Sequence, residues 1–171
     1  NTSGSSNTAF GMDSLRNNTT ANNNTALGHD ALRLNTTGAD NVGVGATSLD
    51  ANTTGGSNSG VGYAALSTNT TGSNNTALGR DALFANSTAS NNTAVGKSAL
   101  ESNTTGASCT AVGANTLQNN TTGGTNVAIG NAALFSNTTA SNNTALGAEA
   151  LNANTTGHSN AAVGANALDA N

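Results

Sequence analysis

Large apolar residues recur at two places in every 17 residues and seldom fall anywhere else. Counting from Asn7, the unit restarts at Asn24, Asn41, Asn58, Asn75, Asn92, Cys109, Asn126, Asn143 and Asn160, with no insertion or gap. With the positions numbered as slots one to seventeen, slot four is always large and apolar and slot nine is always leucine. Self-similarity at a fixed short period marks a repeat architecture, in which stacked units bury a core that no single unit can bury alone.

Within the unit the pattern changes character twice. Slots two to five read T-A-[LVIF]-G, as in Thr25-Ala26-Leu27-Gly28 and Thr93-Ala94-Val95-Gly96. A short run with β-branched members, closed by glycine, predicts a strand of a few residues. The alanine or glycine at slot three suggests a face that another backbone approaches closely. The glycine at slot five predicts a turn that needs positive φ. Slots six to eleven place Ala-Leu behind an Asp, Ser, Asn or Glu, as at His29–Leu34 and Arg80–Ala85. That order predicts one capped turn of helix, with a tight irregular turn as the competing reading. Asp13/Arg16 and Asp30/Arg33, three apart, suit one exposed helical face. Slots twelve to fifteen read N-T-T-G or N-T-T-A with two serine variants, which is turn chemistry.

Stacking these units gives the expected fold: mainly β, a β-solenoid of ten 17-residue coils, each a short parallel strand plus one helical turn, in a single domain over residues 1–171. Two internal columns are expected. One holds Leu32, Leu49, Leu66, Leu83, Leu100, Leu117, Leu134 and Leu151 at slot nine. The other holds Leu27, Val44, Val61, Leu78, Val95, Val112, Ile129 and Leu146 at slot four. Two aliphatic side chains per coil are few against the entropy of ordering 17 residues. Backbone ladders, stacked asparagine amides and contacts with other copies of the chain, lateral or end to end, are expected to supply the difference. Asn1 and Asn171 both sit at slot twelve, so the sequence reads as a window on a longer array or as a subunit that stacks.

Composition alters this picture in one respect. Only 7% of residues are charged and there is no proline, a polar profile that usually signals disorder. A disordered tract does not keep its period, and it does not repeat leucine at one slot ten times. The missing proline suits a chain whose backbone N–H groups are all needed in a ladder. The net charge is −4, and the four basic residues, Arg16, Arg33, Arg80 and Lys97, form no patch, so no nucleic-acid partner is expected. No apolar run nears the ~20 residues of a membrane span, so no membrane insertion is expected. Cys109 stands alone, and an internal disulfide is ruled out.

The recurring N-T-A-[LVI]-G-x-x-A-L resembles the repeats of phage tail-fibre shafts, particularly those followed by a self-cleaving intramolecular chaperone. It is more loosely similar to the head repeats of trimeric autotransporter adhesins, which are shorter and lack the Ala-Leu and Asn-Thr-Thr halves. The resemblance covers the whole chain. It implies an extracellular, cell-surface or virion fibre, commonly trimeric.

The Asn-Thr-Thr corner carries the candidate chemistry, at Asn18, Asn35, Asn52, Asn69, Asn86, Asn103, Asn120, Asn137 and Asn154. These amides could face inward and stack as a ladder. Each also opens an N-x-[ST] sequon, so the corner could instead carry a row of glycans. The middle residue of a sequon is free to vary, yet here it is always Thr or Ser, which favours a structural demand. A buried amide cannot be glycosylated, so the two readings exclude each other. Sequons at Asn17, Asn23, Asn74, Asn91, Asn119 and Asn142 are exposed alternatives. A flat threonine row could also hold ordered water, but slots thirteen and fourteen are adjacent and cannot share one face of a strand.

No catalytic, cofactor or metal site is expected. His29 and His158 occupy different slots far apart in the array. The carboxylates at slots seven, ten and seventeen read as surface turns and caps. Cys109 reads as a small buried substitute for asparagine, and Tyr63, Phe84 and Phe135 as outward groups that pack between chains. The expected function is structural, an extracellular fibre or filament shaft. The alternative is a binding module, an adhesin or receptor-binding fibre or less favourably an ice binder, whose repeated polar face meets a surface receptor or glycan.

Overall fold

The computed structural model describes residues 1–169; Asn171, the last slot-twelve asparagine, lies outside the described residues. One three-residue strand occurs per coil: β1 Thr8–Phe10, β2 Thr25–Leu27, β3 Val42–Val44, β4 Ser59–Val61, β5 Thr76–Leu78, β6 Thr93–Val95, β7 Thr110–Val112, β8 Val127–Ile129, β9 Thr144–Leu146 and β10 Ala161–Val163. They form one parallel sheet in sequence order, and each strand pairs with its image in the next coil, as Thr76 with Thr93, Ala77 with Ala94 and Leu78 with Val95. The chain is a parallel β-solenoid. At ~4.8 Å between strands the sheet is about 43 Å long.

Each strand turns its middle residue inward. Slot three is buried from Ala26 to Ala162, while slots two and four face out or lie half-buried at the surface. The expected core column at slot four is therefore a correction. Leu27, Leu78, Ile129 and Leu146 are exposed, and Val44, Val61, Val95 and Val112 are half-buried. Side chains alternate along a strand, so the choice of inward residue fixes the whole set. Slots one and three are inside together, and slot three must be tiny because the slot-nine leucine already reaches the strand. A Cβ added to Gly43 would sit 3.3 Å from Leu32 Cγ. At Ser48, in slot eight, the strand gives way further. Ser48 Oγ donates to the Gly60 carbonyl at 2.9 Å, and a Cβ on Gly60 would lie 2.7 Å from that oxygen.

Slots six to eleven contain no helical turn, which corrects the second expectation. Slot seven (φ 54 to 58°) and slot nine (φ 50 to 54°) are both left-handed, so a right-handed helix cannot pass through them. The segment is a series of tight turns. The N–H groups of slot twelve, of nearly every slot eight and of slot ten in half the coils bond back three residues, as Asn86 to Leu83, Ala82 to Gly79 and Phe84 to Asp81. Those of slots seven, nine and eleven reach neighbouring coils, as Asp81 to Tyr63, Leu83 to Ala99 and Ala85 to Glu101. A helix would spend every N–H within its own segment and leave the coils unconnected here. Asp13, Asp30 and Asp81 are thus residues that tolerate a left-handed backbone and cap no helix. The slot-five glycine has φ 123 to 140°, and a Cβ at Gly79 would stand 2.6 Å from the Gly96 carbonyl oxygen.

Slot nine is the least ordinary position. Its leucines are fully buried from Leu32 to Leu151, and all adopt a conformation that costs an L-residue ~1–2 kcal/mol. Burial of the side chain holds them there. A β-branched residue is a worse fit to positive φ than leucine, which accounts for a column that never becomes valine or isoleucine. Slot four, on extended backbone, mixes both freely.

Leu100→Ile keeps the side-chain volume, and such swaps in ordinary cores cost under ~1.5 kcal/mol. At φ 52° the isoleucine is expected to lose about 2–4 kcal/mol in urea unfolding. A loss below ~1 kcal/mol would show that the backbone does not select leucine here.

Candidate functional site

The Asn-Thr-Thr corner closes around an amide ladder. In each coil from the second to the ninth, slot-twelve Nδ2 donates to Oδ1 of the slot-twelve asparagine of the preceding coil. These bonds measure 2.8–3.2 Å from Asn35→Asn18 to Asn154→Asn137. The second amide hydrogen goes to the slot-fifteen carbonyl three residues on, at 2.9–3.2 Å. Asn35, Asn52, Asn69, Asn86, Asn103, Asn120 and Asn137 are completely buried, and Asn18 and Asn154 nearly so. Both hydrogens of each amide are engaged, so there is neither a free N–H nor space for a sugar. The glycan row at slot twelve is thereby corrected to a structural ladder.

A second asparagine column stands beside it. At slot one, Asn24, Asn41, Asn58, Asn75, Asn92, Asn126 and Asn143 are fully buried. The Oδ1 of each accepts from the slot-one backbone N–H of the following coil at 2.8–3.0 Å, as Asn75 N to Asn58 Oδ1. Its Nδ2 crosses the coil to the same slot-fifteen carbonyl at 2.8–2.9 Å. One carbonyl oxygen, Gly72 for instance, thus receives Asn58 from one side at 2.8 Å and Asn69 from the other at 3.0 Å. Among the described residues no buried side-chain polar atom lacks a partner.

The sequence offers the slot-twelve ladder as one of two readings and leaves the slot-one ladder unnamed. The signal was present, since asparagine holds nine of ten slot-one positions. Cys109 is the one break. Its N–H still reaches Asn92 Oδ1 at 2.8 Å, and its thiol contacts the Gly123 carbonyl at 3.3 Å. It offers no oxygen to the Asn126 N–H. Burial pushes the Cys109 thiol pKa up, which keeps it protonated and poorly nucleophilic.

The two threonines of the corner part company. Slot-thirteen hydroxyls are tied into the ladder, donating to the slot-thirteen carbonyl of the next coil at 2.9–3.4 Å. Slot-fourteen threonines, Thr20 to Thr156, are exposed in every coil. The sequon asparagines Asn23, Asn74, Asn91 and Asn142 at slot seventeen are exposed on left-handed backbone. Asn17 is exposed and Asn119 half-buried at slot eleven.

Titratable groups remain scattered on the surface. Arg33 bridges Asp50 in the next coil at 2.8 Å and 3.2 Å and lies 3.5 Å from Asp30; the bond to Asp50 raises its pKa. His29 lies 3.2 Å from Asp30, and His158 contacts only Ser159. Among the described residues no cluster of His, Cys, Asp or Glu could hold a metal, and no pocket opens. No helix there is long and apolar enough to cross a membrane. Tyr63 and Phe84 are exposed, with the Arg80 guanidinium 5.6 Å over the Tyr63 ring, and Phe135 is half-buried.

No family model matches the chain, and no curated protein or solved structure matches it.

Cys109→Asn is expected to restore the missing ladder rung and stabilise the protein by ~1 kcal/mol in urea unfolding; an unchanged midpoint would show that the slot-one bonds contribute nothing net. Asn86→Asp removes two buried donors and leaves a carboxylate inside, with an expected loss of about 2–5 kcal/mol at neutral pH. The same substitution at exposed Asn91 is expected to stay within ~0.5 kcal/mol. Equal losses at the two sites would contradict the ladder.

Proposed function

We propose that the chain is a structural element, a shaft segment of an extracellular or virion fibre built by its own copies. What supports this is the uniformity of the rod. The same pair of asparagine columns and the same leucine column run through the coils without an insertion that would form a receptor tip. Such an array transmits length and stiffness, because each coil contacts only its neighbours and any number can be added. The resemblance to phage tail-fibre and adhesin repeats points the same way. Catalysis has no part in this reading.

A second reading is favoured by the slot-fourteen threonines, which stay exposed in every coil while the neighbouring slot-thirteen hydroxyls serve the ladder. A constant exposed hydroxyl row suits recognition of a surface receptor or glycan along the rod.

Negative-stain imaging of native material is expected to show long unbranched fibres, and compact monomers would overturn the shaft reading. If alternate slot-fourteen threonines are replaced by lysine and surface attachment is lost while fibres persist, the binding reading takes precedence.

A further inference from the structure

Slot four faces outward, exposed in six coils and half-buried at Val44, Val61, Val95 and Val112, yet it is apolar in all ten coils. Nothing inside the coil requires this. An outward strand position accepts threonine or serine without loss, as slot two shows at Thr76, Thr93 and Ser59. Other surface slots vary at will: slot six holds Met, His, Ala, Tyr, Arg, Lys and Asn. A surface position held to one chemistry across every repeat answers a demand from outside the chain. Slots two and four together present a sheet face with no charged residue in any coil.

We infer that the outward face of the β1–β10 sheet is a lateral interface at which a second copy of this chain packs, with the slot-four column at its centre. This rests on the reading of the chain as an assembling rod and names the surface that does the assembling. Leu27, Leu78 and Leu146 are 45–48% exposed, Phe10 and Val163 on the end strands more so, and the valines between them are half-buried, so the apolar stripe is continuous and water covers part of every row. The face is about 43 Å long and roughly 10 Å wide from strand spacing and rise. Its outline, on the order of 400 Å² with the slot-two threonines included, is in the range of the largest patches on typical monomers. Side chains standing up from the sheet enlarge the accessible area toward the ~800 Å² per partner of a stable interface.

A second copy is the occupant that fits this length. The apolar side chains recur at the ~4.8 Å strand spacing. A partner with any other period would meet the first few rows and then fall out of step. Another solenoid of the same repeat matches every row by construction, and each matched row adds to the same rigid contact.

The test uses the 171-residue chain in solution. Light scattering after size exclusion is expected to show an oligomer for the unchanged protein. Leu78→Lys with Leu146→Lys is expected to weaken association about tenfold or more, toward monomers. Leu78→Thr with Leu146→Thr, which places strand-favouring β-branched residues there, should weaken it to a smaller degree. Circular dichroism and unfolding midpoints should match the parent in at least the threonine pair. Thr88→Lys with Thr139→Lys, on the slot-fourteen column, should leave the oligomer intact. A monomeric parent at ~100 μM, or an oligomer that survives the slot-four changes and falls apart with the slot-fourteen changes, overturns the proposal. These outcomes are separate from the fibre reading. A monomeric chain beside fibrous native material sinks only the lateral face, and a slot-four oligomer beside non-fibrous native material sinks only the shaft.

Discussion

From the second coil to the ninth, apart from the coil of Cys109, one carbonyl oxygen at slot fifteen receives two buried asparagine amides, and the rest of the coil is arranged to allow it. A peptide carbonyl has two acceptor positions, and an amide left unpaired inside a protein costs more than the bond itself returns. Asn58 and Asn69 meet at Gly72 from opposite walls and fix the width of the coil at that level. Because slot-twelve Oδ1 is then free to accept from the next coil, satisfaction within a coil and adhesion between coils use the same side chain. Uncharged amides suit this role, since each both donates and accepts, whereas a carboxylate or an ammonium would do only one and would carry a buried charge.

This polar interior changes what hydrophobic residues are for. In most folds large apolar side chains go in and polar ones out. Here slots one and three turn inward as asparagine and alanine, and the strand alternation then sends the aliphatic slot four to the surface. The single large apolar occupant per coil is the slot-nine leucine, and it enters from a left-handed corner. Three non-glycine left-handed positions recur in each coil, at slots seven, nine and seventeen. Asparagine, aspartate or serine softens that cost at most of the slot-seven and slot-seventeen positions, though Thr47, Ala64, Thr125, Ala132 and Glu149 bear it without that help. At nine nothing softens it but burial.

Much of this was legible in the residues. The period of 17, the parallel stacking and the turn at the slot-five glycine followed from invariance at fixed slots, which also narrowed Asn18 to Asn154 to an amide ladder or a glycan row. Two misreadings came from rules that hold in ordinary domains. Ala-Leu behind aspartate is helical chemistry when the flanking backbone is free to be right-handed, but Asp30 and Leu32 are held at φ 57° and 53° by bonds to the coils on either side. Large apolar residues on a strand are core when the strand covers a wide interior, but Leu32 fills this one up to the backbone at Gly43.

The sequence by itself determined the repeat, the number of coils and the positions that cannot vary, because a stacked array imposes the same demand at the same slot each time. Only the tertiary structure decided which way those positions face. Inward and outward are not properties of a residue type when the core is made of amides. They depend on which side chains can reach a shared carbonyl across the coil. That geometry moved the Asn75–Asn91 unit's leucines apart: Leu83 went to the centre and Leu78 to the outside, and the functional question moved with Leu78.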